Sequence, residues 1–450
     1  MTDMSTSIIP QTAASLSLQG LTAPRYTSYP AHPHWRNMPE LETWREHFRQ
    51  QASMAPIDLY CHIPFCQSLC HYCGCNRIIT NARHKSENYL QILLHEIALY
   101  RQLAPLPTIA QIHLGGGTPT YLSAPQLQQL LSTLNDWNAG KSFYGSIEVD
   151  PRVTTSEQLL VLWNGGFRKL SLGIQDFDPV VQKAIHRQQP FELVQEFLAM
   201  AFAIGNWEIN FDLIYGLPEQ TANSIRQTIE QSLQLSPHSI AFFSYAHVPW
   251  KMPHQKSLER FNLPDDNQRL ELFEVGKELL INAGYKHLGL DHFCREGSTL
   301  LDAYYQKKLA RNFMGHVITP SPVLLGLGAS AISSTPDFYV QNEKEVEYYS
   351  AIIHADVLPL SSGHSLTDDD KILGKVIHDW LCYQKADIVK LLTIPDSYVQ
   401  EQLHLLAKNN LIEISGAIAT IPEHTRHLVR WICSQLDWRL KSNNTTLSRL

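Results

Sequence analysis

The segment YCHIPFCQSLCHYCGCN, Tyr60 to Asn76, constrains this chain more than any other, because it sets Cys66, Cys70 and Cys73 in a C-x3-C-x2-C spacing directly behind the apolar run IDLYCHI. Five of the eight cysteines (Cys61, Cys66, Cys70, Cys73 and Cys75) fall within fifteen residues. A disulfide scaffold would spread them through a small secreted chain. In a chain of 450 residues with 44% hydrophobic and 18% charged residues, an ordinary folded composition, the clustering points to a metal or cluster site. Thiolates are the preferred ligands of iron-sulfur clusters, which normally take four. Supplying three would leave one iron open. A structural zinc site would use four ligands, most often as paired C-x2-C knuckles, and no second knuckle follows; Cys75 lies only two residues beyond Cys73. The scattered Cys294, Cys382 and Cys433 read as small buried hydrophobes.

From about Ile57 to Ala246, short apolar runs (IDLYCHI, QIHLGGG, SIEVD, KLSLGIQ, INFDLIYG, SIAFFSYA) alternate with amphipathic stretches at Glu87–Leu99, Ala124–Trp137, Glu192–Ile204 and Ala222–Leu233. That is the pattern of strand-helix units around a parallel sheet. The expected fold is α/β, a partial parallel (β/α)6 barrel. Its C-terminal rim would gather His62-Ile63-Pro64, Gly115 to Thr118, Glu148, Asp150, Gln175, Asp176 and Tyr215-Gly216. Further along, the pattern predicts a helix at Asn267–Ala283, a strand at Tyr285–His292 and a second glycine-rich run at Leu324–Ser333. Helices at Asp368–Leu381, Ala386–Leu392 and Asp396–Lys408, a hairpin at Leu411–Ile421 and a last helix over Pro422–Leu440 look like a winged-helix domain. The expected division is a flexible tail (1–20), an N-terminal arm over the active site (21–56), a catalytic domain (57–360) and a C-terminal lid or docking domain (361–450).

A net charge of -7 argues against a general nucleic-acid binder, and Asp368 to Asp370 at the start of the C-terminal domain give no basic footprint. The stretch Met1 to Gln19 lacks the charged start and apolar core of a signal peptide, and no apolar run reaches the length of a membrane span, so the expected location is the cytoplasm.

An iron with a free position can bind the amino and carboxylate groups of S-adenosylmethionine and reduce its sulfonium, releasing a carbon radical able to remove an unactivated hydrogen; the cofactor carries the chemistry and the protein positions it. LGGGTPTYL, Leu114 to Leu122, suits such a ligand, since glycines admit close backbone approach and N–H groups at a helix start favour a carboxylate. No Ser-His-Asp or Cys-His arrangement competes.

The cysteine loop resembles that of the radical S-adenosylmethionine superfamily, and C-x3-C-x2-C-x-C preceded by Tyr60 and His62 to Phe65 resembles its oxygen-independent coproporphyrinogen III dehydrogenase (oxidase) branch. PRYTSYP (Pro24–Pro30), GGGTPTYL, SIEVDPR (Ser146–Arg152), LGIQDF (Leu172–Phe177), FDLIYGLP (Phe211–Pro218), YAHVPW (Tyr245–Trp250) and RNFMG (Arg311–Gly315) follow in the same order. The resemblance implies that Cys66, Cys70 and Cys73 hold a 4Fe-4S cluster while Cys75 stays unligated. It implies two molecules of S-adenosylmethionine, one served by Tyr60, Tyr72, Gly116, Glu148, Ala246 and Ile332, the other by Gly117, Thr118, Gln175, Arg187 and Asp212. The implied reaction is oxidative decarboxylation of two propionates of coproporphyrinogen III to vinyl groups in haem biosynthesis. An electron donor such as a flavodoxin or ferredoxin and a monomeric state are separate expectations. Arg25 is expected at a substrate carboxylate, with Tyr26 and Tyr29 against the macrocycle. Departures cluster on the side expected to meet the substrate: Ala310, Met314, the run His316 to Pro322, and Cys294-Arg295. They leave a haem-degrading radical methyltransferase, a haem chaperone and a zinc protein as alternatives.

Overall fold

The computed structural model describes residues 21–140, 142–394 and 397–440. The expected tail at 1–20 lies outside the described residues, as does Asp396. Seven parallel strands form the centre: β1 (Ile57–Ile63), β2 (Ile109–Gly116), β3 (Tyr144–Val149), β4 (Phe167–Gln175), β5 (Glu208–Tyr215), β6 (Ser239–Ser244) and β7 (Val323–Leu327), in the order β7-β1-β2-β3-β4-β5-β6. The six expected runs are all strands. The seventh comes from the second glycine-rich run, which is not one element: β7 pairs with β1, the chain turns at Gly328 (φ +96), and Ile332–Ser334 returns antiparallel.

Short antiparallel strands extend both edges, giving a twelve-stranded open sheet. At one edge the predicted single strand Tyr285–His292 is instead a tight pair, Lys286–Leu288 and His292–Cys294, because Gly289 adopts φ +53 and reverses the chain. Alternation along the strands sorts the two faces of the sheet. Leu114, Ile147, Leu170, Leu172, Phe211 and Leu213 are buried in the main core. Their neighbours His113, Ser146, Glu148, Ser171, Asn210 and Asp212 line a polar interior cavity.

Helices Arg83–Leu103, Ala124–Trp137, Ser156–Asn164, Phe191–Ile204 and Ala222–Gln234 cover the outer face. Their starts are written locally. Thr155 N–H donates to Gln158 Oε1 (2.8 Å) and Gln158 N–H to Thr155 Oγ1 (3.3 Å), a reciprocal cap that satisfies two otherwise unpaired donors.

The C-terminal residues build a second core with Leu373, Trp380, Leu403 and Ile432, and Tyr26 and Tyr29 of the arm belong to it. Two expected helices there are corrected. Ala386–Leu392 is a strand, Lys385–Asp387, and a single turn, Leu391–Thr393, since Gln384 (φ +56) ends the preceding helix and the hairpin strand Ile418–Thr420 captures the backbone that follows. The last helix is Val429–Leu436 between short turns, broken at Asp437, whose carboxylate accepts from the hydroxyls of Tyr26 (3.0 Å) and Tyr29 (3.3 Å) and from Arg439 N–H (3.2 Å).

A buried carboxylate ties the β7 turn to the helices. Glu96 accepts from Gly328 N–H (2.6 Å), Tyr349 Oη (2.7 Å) and Asn342 Nδ2 (2.6 Å). Burial raises it from 4.5 to about 7 despite those donors. Native protein therefore holds this proton more tightly than unfolded chain, so the group's contribution to stability is fully present below pH 4.5 and lost as pH rises through about 7. Glu96→Gln offers one acceptor oxygen instead of two. It is expected to cost about 1–3 kcal/mol and to flatten the dependence of unfolding free energy on pH between about 5 and 8, measured by urea denaturation.

Candidate active site

The strands end on one rim, and the cysteine loop lies across it, pinned along its length. Residues Phe65–Cys66 pair with Ile78–Ile79, Thr80 N–H donates to Cys66 O (3.0 Å), Cys73 N–H to Cys70 O (3.2 Å) and His71 N–H to Ile185 O (2.9 Å). Gln255 Nε2 donates to Tyr72 O (2.9 Å), and a ring nitrogen of His62 reaches Asn76 O (3.0 Å). The thiols are thus presented by a loop held at several points along its backbone.

Cys66, Cys70 and Cys73 line one cavity of about 530 Å³ together with Tyr72, Gly116, Gly117, Thr118, Glu148, Gln175, Arg187 and Asp212. Its size suits a cofactor-sized ligand. Among the described residues no three cysteine sulfurs form a set within 4.8 Å of one another. Three thiols on one cavity are the donor type that an iron-sulfur cluster takes. Burial pushes the Cys66 thiol up to about 11, whereas a hydrogen bond with Cys75 brings Cys73 below the ordinary thiol range. Cys75 lines the same cavity and is exposed.

The glycines make a cradle. A methyl group added at Gly117 would stand 2.8 Å from Phe65 O and 3.0 Å from Cys66 Sγ, and Gly116 adopts φ +119 with its N–H 3.1 Å from Glu148 Oε2. Only glycine lets this turn pass so close to the cysteines. Thr118 Oγ1 lies 3.4 Å from Cys66 Sγ.

Opposite stands a buried charge network. Arg187 donates to Gly173 O from Nε (3.0 Å) and Nη2 (2.7 Å), to Asp150 Oδ2 (3.2 Å) and to Gln189 Oε1 (3.2 Å), and its Nη1 is 3.8 Å from Cys70 Sγ. Burial alone would raise Asp150; Arg187 and Arg152 overcome it and hold the carboxyl down to about 2. Burial and the neighbouring Glu148 push Asp212 up to about 7 although Asn210 Nδ2 (2.8 Å) and Ser171 Oγ (3.2 Å) donate to it. Cationic guanidinium beside a thiolate set offsets the negative charge such a set accumulates.

The other sequence-predicted residues are more dispersed. Tyr60 lies beside Gly115, stacked on His113, with its hydroxyl 2.9 Å from His62 Nδ1. Ala246 lines an adjoining outer cavity of about 590 Å³ that shares Tyr72, Gly74 and Cys75 with the first. Ile332 is half-buried on the strand beside β7 and borders neither cavity. Arg25 and Tyr26 line the outer cavity, and Tyr26 and Tyr29 both pack into the C-terminal core. The sequence patterns assign no role to Arg152 or to the Asp150–Arg187 pair, although SIEVDPR carries both Asp150 and Arg152 just past β3.

The radical SAM superfamily profile matches residues 60–231. The oxygen-independent coproporphyrinogen III oxidase of Escherichia coli is 36% identical over 438 residues, 93% of each chain. That of Helicobacter pylori is 37% identical over 374 residues, 82% of each. A solved structure of coproporphyrinogen III oxidase from Escherichia coli, a radical SAM enzyme, superposes with a TM-score of 0.86 at 35% identity, covering 92% of this chain and 97% of that one.

Proposed function

The chain belongs to the oxygen-independent coproporphyrinogen III oxidase family of the radical SAM superfamily, and from that premise we propose that it converts coproporphyrinogen III to protoporphyrinogen IX by oxidative decarboxylation. In net terms each of two propionate side chains gives up one hydrogen atom, one electron and carbon dioxide and becomes a vinyl group. The observation that carries the reading is the convergence of three thiols, a glycine cradle and the Asp150–Arg187 pair on one cavity at the strand ends.

Cys66, Cys70 and Cys73 would hold a 4Fe-4S cluster, leaving Cys75 free. When bound, the cluster and S-adenosylmethionine supply a reducing electron and a carbon radical that takes a hydrogen atom. Tyr60, Tyr72, Gly116, Glu148, Ala246 and Ile332 would serve one molecule of S-adenosylmethionine. Gly117, Thr118, Gln175, Arg187 and Asp212 would serve a second, so that two are consumed per product. Arg187 offers a charge-assisted partner for a carboxylate, and Glu148 and Asp212 offer acceptors for ribose hydroxyls or an amino group. The C-terminal domain would close the site, since its core is built in part from the arm. A flavodoxin or ferredoxin would bring the electron, and the enzyme would act as a cytoplasmic monomer; among the described residues no helix is long and apolar enough to cross a membrane.

The test is an anaerobic assay with reduced, cluster-loaded protein and S-adenosylmethionine, offering coproporphyrinogen III and haem in separate reactions. Two carbon dioxide and two 5'-deoxyadenosine per protoporphyrinogen IX are expected. Consumption of haem without decarboxylation of coproporphyrinogen III would overturn the reading in favour of a haem-degrading enzyme, and one deoxyadenosine per product would overturn the stoichiometry.

A further inference from the structure

A further cavity, of about 250 Å³, carries an unbalanced charge. Arg25 comes to it from the arm, Arg311 from the hairpin strand Leu309–Asn312 and Arg430 from the helix Val429–Leu436, with Arg269 and Arg426 in its wall. Asp291 is the one carboxylate among its described lining residues, and it is already shared. Its Oδ1 lies 2.7 Å from His292 Nδ1, 3.8 Å from Arg311 Nη1 and 3.9 Å from His316 Nε2.

At that distance Arg311 makes no hydrogen bond to Asp291. Its Nε and Nη1 are buried without a hydrogen-bond partner, on a side chain only 6% exposed. Donors of a buried cation are rarely left so, because the cost of removing them from water is recovered only through a partner. Arg430, by contrast, is spent on structure: Nε donates to Pro24 O (3.1 Å) and Nη2 to Ala23 O (2.6 Å), fixing the backbone just before Arg25. Arg25 and Arg311 line the cavity together, and burial and the charge of Arg311 pull Arg25 below its ordinary pKa.

The cavity does not stand alone. It shares Arg25, Thr27, Phe243 and Ser244 with the outer cavity, which in turn shares Tyr72, Gly74 and Cys75 with the cysteine-lined one. A flat macrocycle with carboxylates on its edge can extend along this row with Phe243 and Phe313 against its apolar body.

We infer that Arg311 and Arg25 form a carboxylate-receiving subsite, which binds a propionate that the reaction leaves intact while a reacting propionate faces the cysteine cavity. This rests on the tetrapyrrole reading above. Planar guanidinium donors take a carboxylate in a bidentate pair, and two of them from different elements set its direction. The C-terminal domain thereby contributes to substrate binding at one remove, because Arg430 holds the arm so that Arg25 reaches the subsite.

The test is binding, with turnover left out of the readout. Quenching of protein fluorescence would follow titration of cluster-loaded protein with coproporphyrin III and, separately, with its tetramethyl ester. Arg311→Gln is expected to weaken binding of the acid by about ten- to hundredfold, as for loss of one charge-assisted pair, with substantial recovery in Arg311→Lys and little change for the ester. Iron content equal to that of the wild type would establish that each variant is folded. Unchanged binding of the acid in both Arg311→Gln and Arg25→Gln, or a wild type that takes the ester as tightly as the acid, would overturn the inference. A wild type that discriminates acid from ester yet fails to decarboxylate coproporphyrinogen III would remove the proposed function and leave the subsite standing.

Discussion

Replacing Cys66 by alanine is expected to abolish iron retention and turnover together, whereas Cys75→Ser retains a full complement of iron. Iron-sulfur clusters depend on each thiolate, and a chain that offers three has none to spare. Cys66 sits 3.4 Å from Thr118 Oγ1 and against the Gly117 turn, which fix its place in the cavity. Iron and sulfide assays and absorbance of anaerobically reconstituted protein read the result. Cys70→Ala and Cys73→Ala should behave as Cys66→Ala does. If Cys75→Ser loses iron and Cys73→Ala keeps it, the ligand set has been misassigned.

Arg187→Met is expected to destabilise the fold by about 3 kcal/mol and to abolish measurable retention of S-adenosylmethionine. Removing one member of a buried ion pair generally costs about 3–5 kcal/mol because it strands the other, and the lower end applies here since Asp150 keeps Arg152 (2.6 Å). The variant also leaves Gly173 O without its two strongest donors and Gln189 Oε1 without its guanidinium. Urea denaturation gives the stability and equilibrium dialysis the binding. The same network has a pH signature with the opposite sign to that of Glu96. Asp150 is held at about 2 against an ordinary 3.8, so its contribution is fully present above that ordinary value and fades as pH falls through about 2. A variant as stable as the wild type would show that the pair contributes nothing net.

The legible part of this protein is local. Cys66, Cys70 and Cys73 belong to one short loop, and residue spacing alone decides that they can meet. The six strand runs are visible because each is bounded by turn residues and followed by a helix with its own apolar period, as at Ala124–Trp137, where the predicted and observed limits coincide. Where local preference and tertiary pairing disagree, pairing wins. Ala386–Leu392 has helical periodicity, yet Lys385–Asp387 pairs with Ile418–Thr420 more than thirty residues away.

The roles of the arm show the same divide. PRYTSYP reads as a segment over the substrate, and Arg25 does reach a cavity. The neighbouring tyrosine hydroxyls instead bind Asp437, 411 and 408 residues distant in the chain. Nothing in the motif distinguishes an aromatic ring that meets a ligand from one that meets the far end of the chain.

By itself, then, the sequence determined the cysteine loop, the glycine turn and the strand-helix repeat, because each is settled by neighbours within a few residues. Only the tertiary structure decided that Arg25, Arg311 and Arg430 share one cavity around a single carboxylate, or that the arm and the C-terminal helix form one core. Those groupings follow from how separate elements pack, and the energy that selects them comes from burying surfaces that lie hundreds of residues apart.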